Sequence, residues 1–263
     1  MPFREENNLR FFEFESLAGF HVVQGIFTRH GGISPRPWAS LNLGGLNGDS
    51  RENVIENRRR IFDVARRPVN TIFDVWQVHS ADVVCTNKPR PLDAPHQKAD
   101  AIVTNRPSVT LFMRFADCVP IFFHDPEKRV VAIAHAGWQG TVKNIAAKTV
   151  ETMVFKFGCR PDSIIAGIGP SIGPDHYEVG DEVVHAIQEL LGNRAHGVVT
   201  NKNGRTKLDL WGTNQILLEQ AGVAKIEVAG ICTACHMDDW YSHRGERGNT
   251  GRFGALLALE PEI

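Results

Sequence analysis

Apolar residues in this chain gather in short runs separated by glycine, proline and charge, and two of the densest runs stand back to back. VPIFFH and RVVAIAH flank the tetrapeptide Asp125-Pro126-Glu127-Lys128. Proline directly after aspartate is a type I turn signal, and four-residue hairpin loops are often built on that turn. The two runs therefore read as adjacent antiparallel strands. A closure centred between Pro126 and Glu127 sets Asp125 against Lys128, His124 against Arg129 and Cys118 against His135. Residues directly opposite share a face, with Cβ atoms ~4.5–5.5 Å apart. A thiol and an imidazole that close can share a metal ion or act as nucleophile and base. A one-residue slip would send them to opposite faces.

The remaining pattern predicts strands over Phe20–Thr28, Thr71–Thr86, Asp100–Thr104, Val109–Phe115, Ile164–Ile168, Lys225–Ile231 and Phe253–Leu259. Within Thr71–Thr86, period-two alternation puts Gln77 and His79 on one face and Trp76 and Val78 on the other. Helices are expected over Arg51–Ala65, Val142–Phe157, Val179–Leu191 and Leu210–Ala221. The first is capped by Asp49 or Ser50, with Val54, Ile55 and Ile61 inside and a basic outer face. The second is capped by Thr141 and closed by Gly158, the last capped by Asp209 and ended by Gly222. No repeat, linker or low-complexity segment interrupts the series, so a single α+β domain over residues 1–263 is expected.

Charge changes the picture mainly by exclusion. There are 29 Lys+Arg against 30 Asp+Glu, and the basic clusters are short, so no nucleic-acid surface is expected. No run approaches the ~20 apolar residues of a membrane span. Five cysteines, at 85, 118, 159, 232 and 235, form no even disulfide framework and suit a reducing compartment. The N-terminus carries charge where a signal peptide needs an apolar run. The expectation is a cytoplasmic monomer or homodimer. Cys232-Thr233-Ala234-Cys235 is a lone CxxC, a poor zinc signal without a second pair, and is left without a role.

Several segments in order resemble the YfiH family, also called the laccase-domain or polyphenol-oxidase family. They are TRHGG with SLNLG, QVHS, KADAIVTN through ADCVPIFF to AHAGWQG, IGPSIGPDHYEVG, LDLW, and CTACH with TGR. The resemblance implies a four-layer α/β/β/α sandwich with mixed sheets. It implies zinc, with copper possible, held by His79, Cys118 and His135, which would be catalytic through the metal. It also implies phosphorolysis of adenosine, inosine, guanosine and methylthioadenosine to base and ribose 1-phosphate, together with deamination of adenosine. The chain departs from the family pattern at Gln139, commonly arginine, and at Asp175-His176, commonly a cysteine pair.

Two imidazoles and a thiolate are a mixed N/S set suited to zinc, and three protein ligands leave a fourth position open. Phosphorolysis needs a cation for phosphate. Arg29, at the Gly31-Gly32 turn, is the first candidate, with Arg244 and Arg252 behind it. The start of the helix after Gly140 offers backbone N–H groups for the same anion. Asn42 and Gln77 have amides suited to a purine. Three rivals remain open: a copper-dependent polyphenol oxidase, a metal-free hydrolase with Cys118 as nucleophile and His135 as base, and a module that only binds nucleoside.

Overall fold

A computed structural model describes residues 2–45 and 47–261. Among the described residues the strands are, in chain order, β1 (Phe3–Glu6), β2 (Leu9–Phe12), β3 (Val22–Phe27), β4 (Ile72–Phe73), β5 (Val83–Cys85), β6 (Ala101–Thr104), β7 (Thr110–Phe115), β8 (Val119–Asp125), β9 (Val130–Ala136), β10 (Ile165–Ile168), β11 (Val199–Lys202), β12 (Arg205–Leu208), β13 (Lys225–Val228) and β14 (Phe253–Leu259). The α-helices are α1 (Arg51–Val64), α2 (Trp138–Val142), α3 (Ile145–Phe157), α4 (Asp181–Leu191) and α5 (Leu210–Gln220). One sheet runs β1-β2-β3-β14-β7-β4 and the other β13-β10-β8-β9-β6-β5, with β11-β12 as a separate hairpin. Both large sheets are mixed: β4–β7, β5–β6 and β10–β13 are parallel, and their other pairs antiparallel.

Side-chain parity in the central strands explains the layering. Along β9, Val130, Ala132, Ala134 and Ala136 face α3 and α5, meeting Ile145, Val150, Met153 and Leu217. Val131 and Ile133 face the other way, into a core shared with Phe122, Met113, Phe115 and Leu257 between the two sheets. A third core joins the outer face of the first sheet to α1 through Phe11, Phe27, Phe112, Ile61 and Phe62. The order is helix, sheet, sheet, helix, the expected four-layer arrangement. Both faces of each large sheet are covered, so its central strands are mostly apolar on both faces. Burying each large side chain is worth ~1.5–3 kcal/mol. Among the described residues no helix is long and apolar enough to cross a membrane.

Four local expectations are corrected. Thr71–Thr86 is no single strand: β4 belongs to one sheet and β5 to the other, and residues 74–82 cross between them. The helix after His135 breaks. Thr141 does not cap it; Gly137 opens the five-residue α2, and Asn144, left-handed at φ 61°, caps α3 by accepting from Ala147 N. On α1, Ile55 is exposed, while Asn57 is buried and joins Ser34, Ser40 O and Asn42 O to the helix. Arg58, expected on a solvated face, turns inward onto Leu43 O and the Phe112 ring. The hairpins β1–β2 and β11–β12 were not foreseen, although Asn7-Asn8 and Asn203-Gly204 both take the positive φ values of tight hairpin turns.

The central hairpin forms with its register displaced by two residues. Asp125 pairs with Val130, His124 with Val131, and Pro120, not Cys118, with His135. Asp125 Oδ1 accepts from Lys128 N at 2.9 Å, and Arg129 takes a left-handed φ of 50°, so the loop takes in Lys128 and Arg129 and is wider on its far side than a closure at Lys128. A shift of two keeps side-chain parity. Cys118 therefore remains diagonal to His135 on the inter-sheet side.

Candidate metal centre

His135 is the last inward-facing residue of β9 on the inter-sheet side, and its ring lies 5.4 Å from that of Phe115. Cys118 precedes β8 at a bend whose neighbour, Asp117, has a positive φ of 81°. His79 comes from the crossing segment, itself left-handed at φ 55°. What brings it in is Asp100, a fully buried carboxylate just before β6. Asp100 accepts from Val78 N at 3.1 Å, His79 N at 3.1 Å, Ser80 N at 2.6 Å and Ser80 Oγ at 2.9 Å. It also accepts from His135 Nδ1 at 2.8 Å. One carboxylate thus folds the 78–80 loop and orients the imidazole, leaving Nε2 of His135 as the free ring nitrogen.

The result is a three-donor set. The ligand atoms of His79, Cys118 and His135 all lie within 4.8 Å of one another, and the two imidazole centroids are 4.9 Å apart. Space for an ion is kept by Gly137. A Cβ there would stand 2.8 Å from Cys118 Sγ and 3.0 Å from His79 Nδ1. Burial pushes the Cys118 thiol up, but the adjoining imidazoles outweigh it and bring it down. Burial opposes the charge on His135, yet the Cys118 and Asp100 charges raise its pKa. Both shifts run in the direction that favours a thiolate beside a charged imidazole, and a cation would compete with the proton for these donors. The donor set and the gap both fit a divalent ion.

Two members of the set, His79 and Cys118, line a cavity of about 170 Å³ together with Asp117, Gly137, Trp138, Gln139, Ile172, Tyr177 and Leu210. Its walls are largely apolar and carry two aromatic rings. Asp117 is fixed by Thr233 Oγ1 at 2.7 Å and Arg244 N at 2.6 Å.

The predicted substrate contacts divide. Arg29 is not among the lining residues. Its guanidinium donates to Ala39 O, Met237 O and Glu246 and stacks on Tyr241. Asn42 is fully buried; its amide ties together Gly44, Asn47, Asp49 and Arg252 N. Gln77 is engaged at both amide ends with the Arg114 backbone. None of the three lines the cavity, and each is held by bonds within the fold. Arg244 and Arg252 are not among the lining residues either: Arg244 donates to Glu178 O at 3.0 Å and lies 5.3 Å from the centroid of Tyr177, and Arg252 donates to Gly251 O at 2.8 Å. Burial lowers the Arg252 pKa while charges on Cys118 and Asp117 raise it, which places that guanidinium within electrostatic reach of both. The five-residue α2 is too short to serve as the expected anion site.

Sequence reasoning missed Asp100, Gly137, Tyr177 and Leu210. Asp100 alone carried a signal, an acid placed at the head of a buried strand. Asp100→Asn is expected to weaken metal binding by about 10–100-fold, the usual cost of losing a ligand's hydrogen-bond partner. One amide oxygen cannot serve five donors, and the amide NH₂ would face N–H groups. Equilibrium dialysis of zinc checks this. Burial raises the Asp100 carboxyl, but bonds from His135 and Ser80 outweigh it and hold it at about 2. Its folded pKa is depressed, so its stabilising contribution is complete above about pH 4 and drains away as pH falls toward 2.

A family model described as multi-copper polyphenol oxidoreductase laccase matches residues 23–260. A protein named purine nucleoside phosphorylase from Deinococcus radiodurans is 41% identical over 241 residues, 90% of this chain and 89% of that one. The crystal structure of YlmD from Geobacillus stearothermophilus superposes with TM-score 0.92 at 34% identity, covering 99% of both chains. That of a YfiH protein from Bacillus licheniformis gives TM-score 0.91 at 33% identity, covering 98% of this chain and 99% of the other.

Proposed function

The chain belongs to the YfiH family, and from that premise we propose that it is a zinc-dependent purine nucleoside phosphorylase that also deaminates adenosine. The observation that carries the reading is the three-donor set, of which His79 and Cys118 line an aromatic-walled cavity. Two nitrogens and one sulfur favour zinc. The two donor groups found among the described residues hold three histidines in all, which is too few for the histidine-rich trinuclear cluster of a laccase.

His79, Cys118 and His135 would hold the ion; when bound, it supplies Lewis acidity beside the cavity. Trp138, Tyr177 and Leu210 offer flat and apolar surface for a purine base. In phosphorolysis a phosphate oxygen bonds to C1′ of the ribose as the C1′–N9 bond breaks, and the departing base takes up a proton. Arg244 and Arg252 supply the positive charge for that phosphate. Bonds to ionised groups are worth about 1.5–3 kcal/mol, against roughly 1 for neutral ones, so the arginines matter more here than neutral Gln139. In deamination, water adds at C6 of adenosine and ammonia leaves. Asp117, fixed on the cavity wall by two donors, is placed to hold a polar group of the nucleoside.

The test is incubation with adenosine, with and without phosphate, and chromatographic resolution of adenine, ribose 1-phosphate and inosine. Adenine and ribose 1-phosphate appearing only with phosphate supports the proposal. No product from any purine nucleoside leaves a binding module and overturns it. Arg244→Ala is expected to raise the KM for phosphate at least about tenfold, which corresponds to 1.4 kcal/mol. Arg29→Ala should lower thermal stability and leave that KM unchanged. The opposite pattern would return the phosphate role to Arg29.

A further inference from the structure

A second soft-donor cluster lies outside the cavity. Cys232 and Cys235 are three residues apart on one helical turn, closed by His236 N donating to Cys232 O at 3.1 Å, so both thiols point to the same side. That side meets His176. Its Nδ1 lies 3.4 Å from Cys235 Sγ and 3.8 Å from Cys232 Sγ, and the three ligand atoms are mutually within 4.8 Å. The CxxC, a weak signal in the sequence, thus acquires its third ligand from a loop 56 residues away.

The two loops are already docked by backbone. Ser171 N donates to Ile231 O at 3.1 Å, and Thr233 N to Ser171 O at 3.0 Å. Gly173 N donates to Cys232 Sγ at 3.2 Å. A Cβ on Gly173 would lie 3.0 Å from Cys232 Cβ and 3.2 Å from its sulfur, so glycine is needed for this approach. Cys232 is buried while Cys235 and His176 are exposed. The donors therefore sit at the surface, with the outer side open to a solvent ligand.

We propose that His176, Cys232 and Cys235 bind a second zinc ion, distinct from that of His79, Cys118 and His135. Two thiolates and one imidazole are a set that zinc prefers, with a fourth position for water. Binding releases the two thiol protons, and the thiolates neutralise the ion's charge. The ion clasps the 173–177 loop to the 232–235 turn. Both reach the cavity wall: Tyr177 follows His176 and lines it, and Thr233, between the cysteines, holds Asp117. The role is that of a structural clasp, and it does not depend on the activity proposed above.

The experiment is to strip the full chain with chelator under reducing conditions, reload it with zinc alone, remove the excess and count zinc per chain by mass spectrometry. His176→Ala is the principal variant, because an exposed side chain can be removed without disturbing the core. Wild type should hold two equivalents, and His176→Ala and Cys235→Ser one each. Cys118→Ala should also hold one, and Cys118→Ala/Cys235→Ser none. With cobalt in place of zinc, Cys118→Ala should keep the thiolate charge-transfer bands of a two-sulfur site, and Cys235→Ser added to it should lose them. A zinc count that His176→Ala leaves unchanged overturns the proposal. So does a Cys232–Cys235 disulfide that persists under the reducing conditions and leaves no thiol to bind.

Discussion

Cys118→Ala is expected to remove the ion of the central set and to lower purine nucleoside turnover at least about a hundredfold. The bound follows from the ligand's place in the site: losing only a ligand's hydrogen-bond partner costs about 10–100-fold, and losing the ligand itself should cost more. The fold should survive, since Cys118 stands at a bend before β8 and not within the ladder. Thermal denaturation with zinc counting separates the two effects. Retention of turnover within a few fold would place the chemistry elsewhere. The same variant also eliminates a Cys118 nucleophile, so a second measurement is required. Chelation of the wild-type protein should abolish turnover, and zinc should restore it. A stripped enzyme with full activity would favour a thiolate–imidazolium mechanism without metal, to which the lowered thiol and raised imidazole pKa values would be suited.

Gly137→Ala should have an effect of similar size by a different route. The backbone there, at φ −71° and ψ 174°, is ordinary for alanine, so no conformational penalty is expected. The added methyl carbon would stand 2.8 Å from Cys118 Sγ and 3.0 Å from His79 Nδ1, closer than van der Waals contact allows. Zinc bonds are ~2.0–2.3 Å long, so donors pushed apart by even a few tenths of an ångström no longer converge. The variant should fold with a melting temperature close to wild type, lose the central ion, and lose at least about a hundredfold in turnover, in line with ligand-level disruption. Zinc retained at the wild-type count would show that the space beside Gly137 is not the ion's.

Much of this protein follows from local rules acting on the sequence. The central strands are legible because they are largely apolar, as strands covered on both faces tend to be. Helix ends are legible where a side chain supplies the cap, as Ser50 does for Asn53 N and Asp209 for Gly212 N. That Cys118 and His135 share a face was also legible, because parity survives the two-residue error in register. His79 could be placed beside them only through family motifs.

The tertiary structure decided what local rules cannot reach. His79 joins the set because Asp100, some twenty residues away in sequence, gathers the 78–80 loop into its carboxylate. Periodicity describes repeats along a chain and holds no information about such a clamp. Arg29, Asn42 and Gln77 have the right chemistry for phosphate or purine, and residue type alone cannot show that a fold has already satisfied their polar groups. For the same reason the CxxC carried little signal: His176, the third member of its cluster, is near in space and far in sequence. Sequence determined which groups could do chemistry, since that depends on side-chain type and spacing within an element. Tertiary structure determined which of them are free to do it, because unsatisfied buried polar groups are costly and the fold engages most of those it encloses.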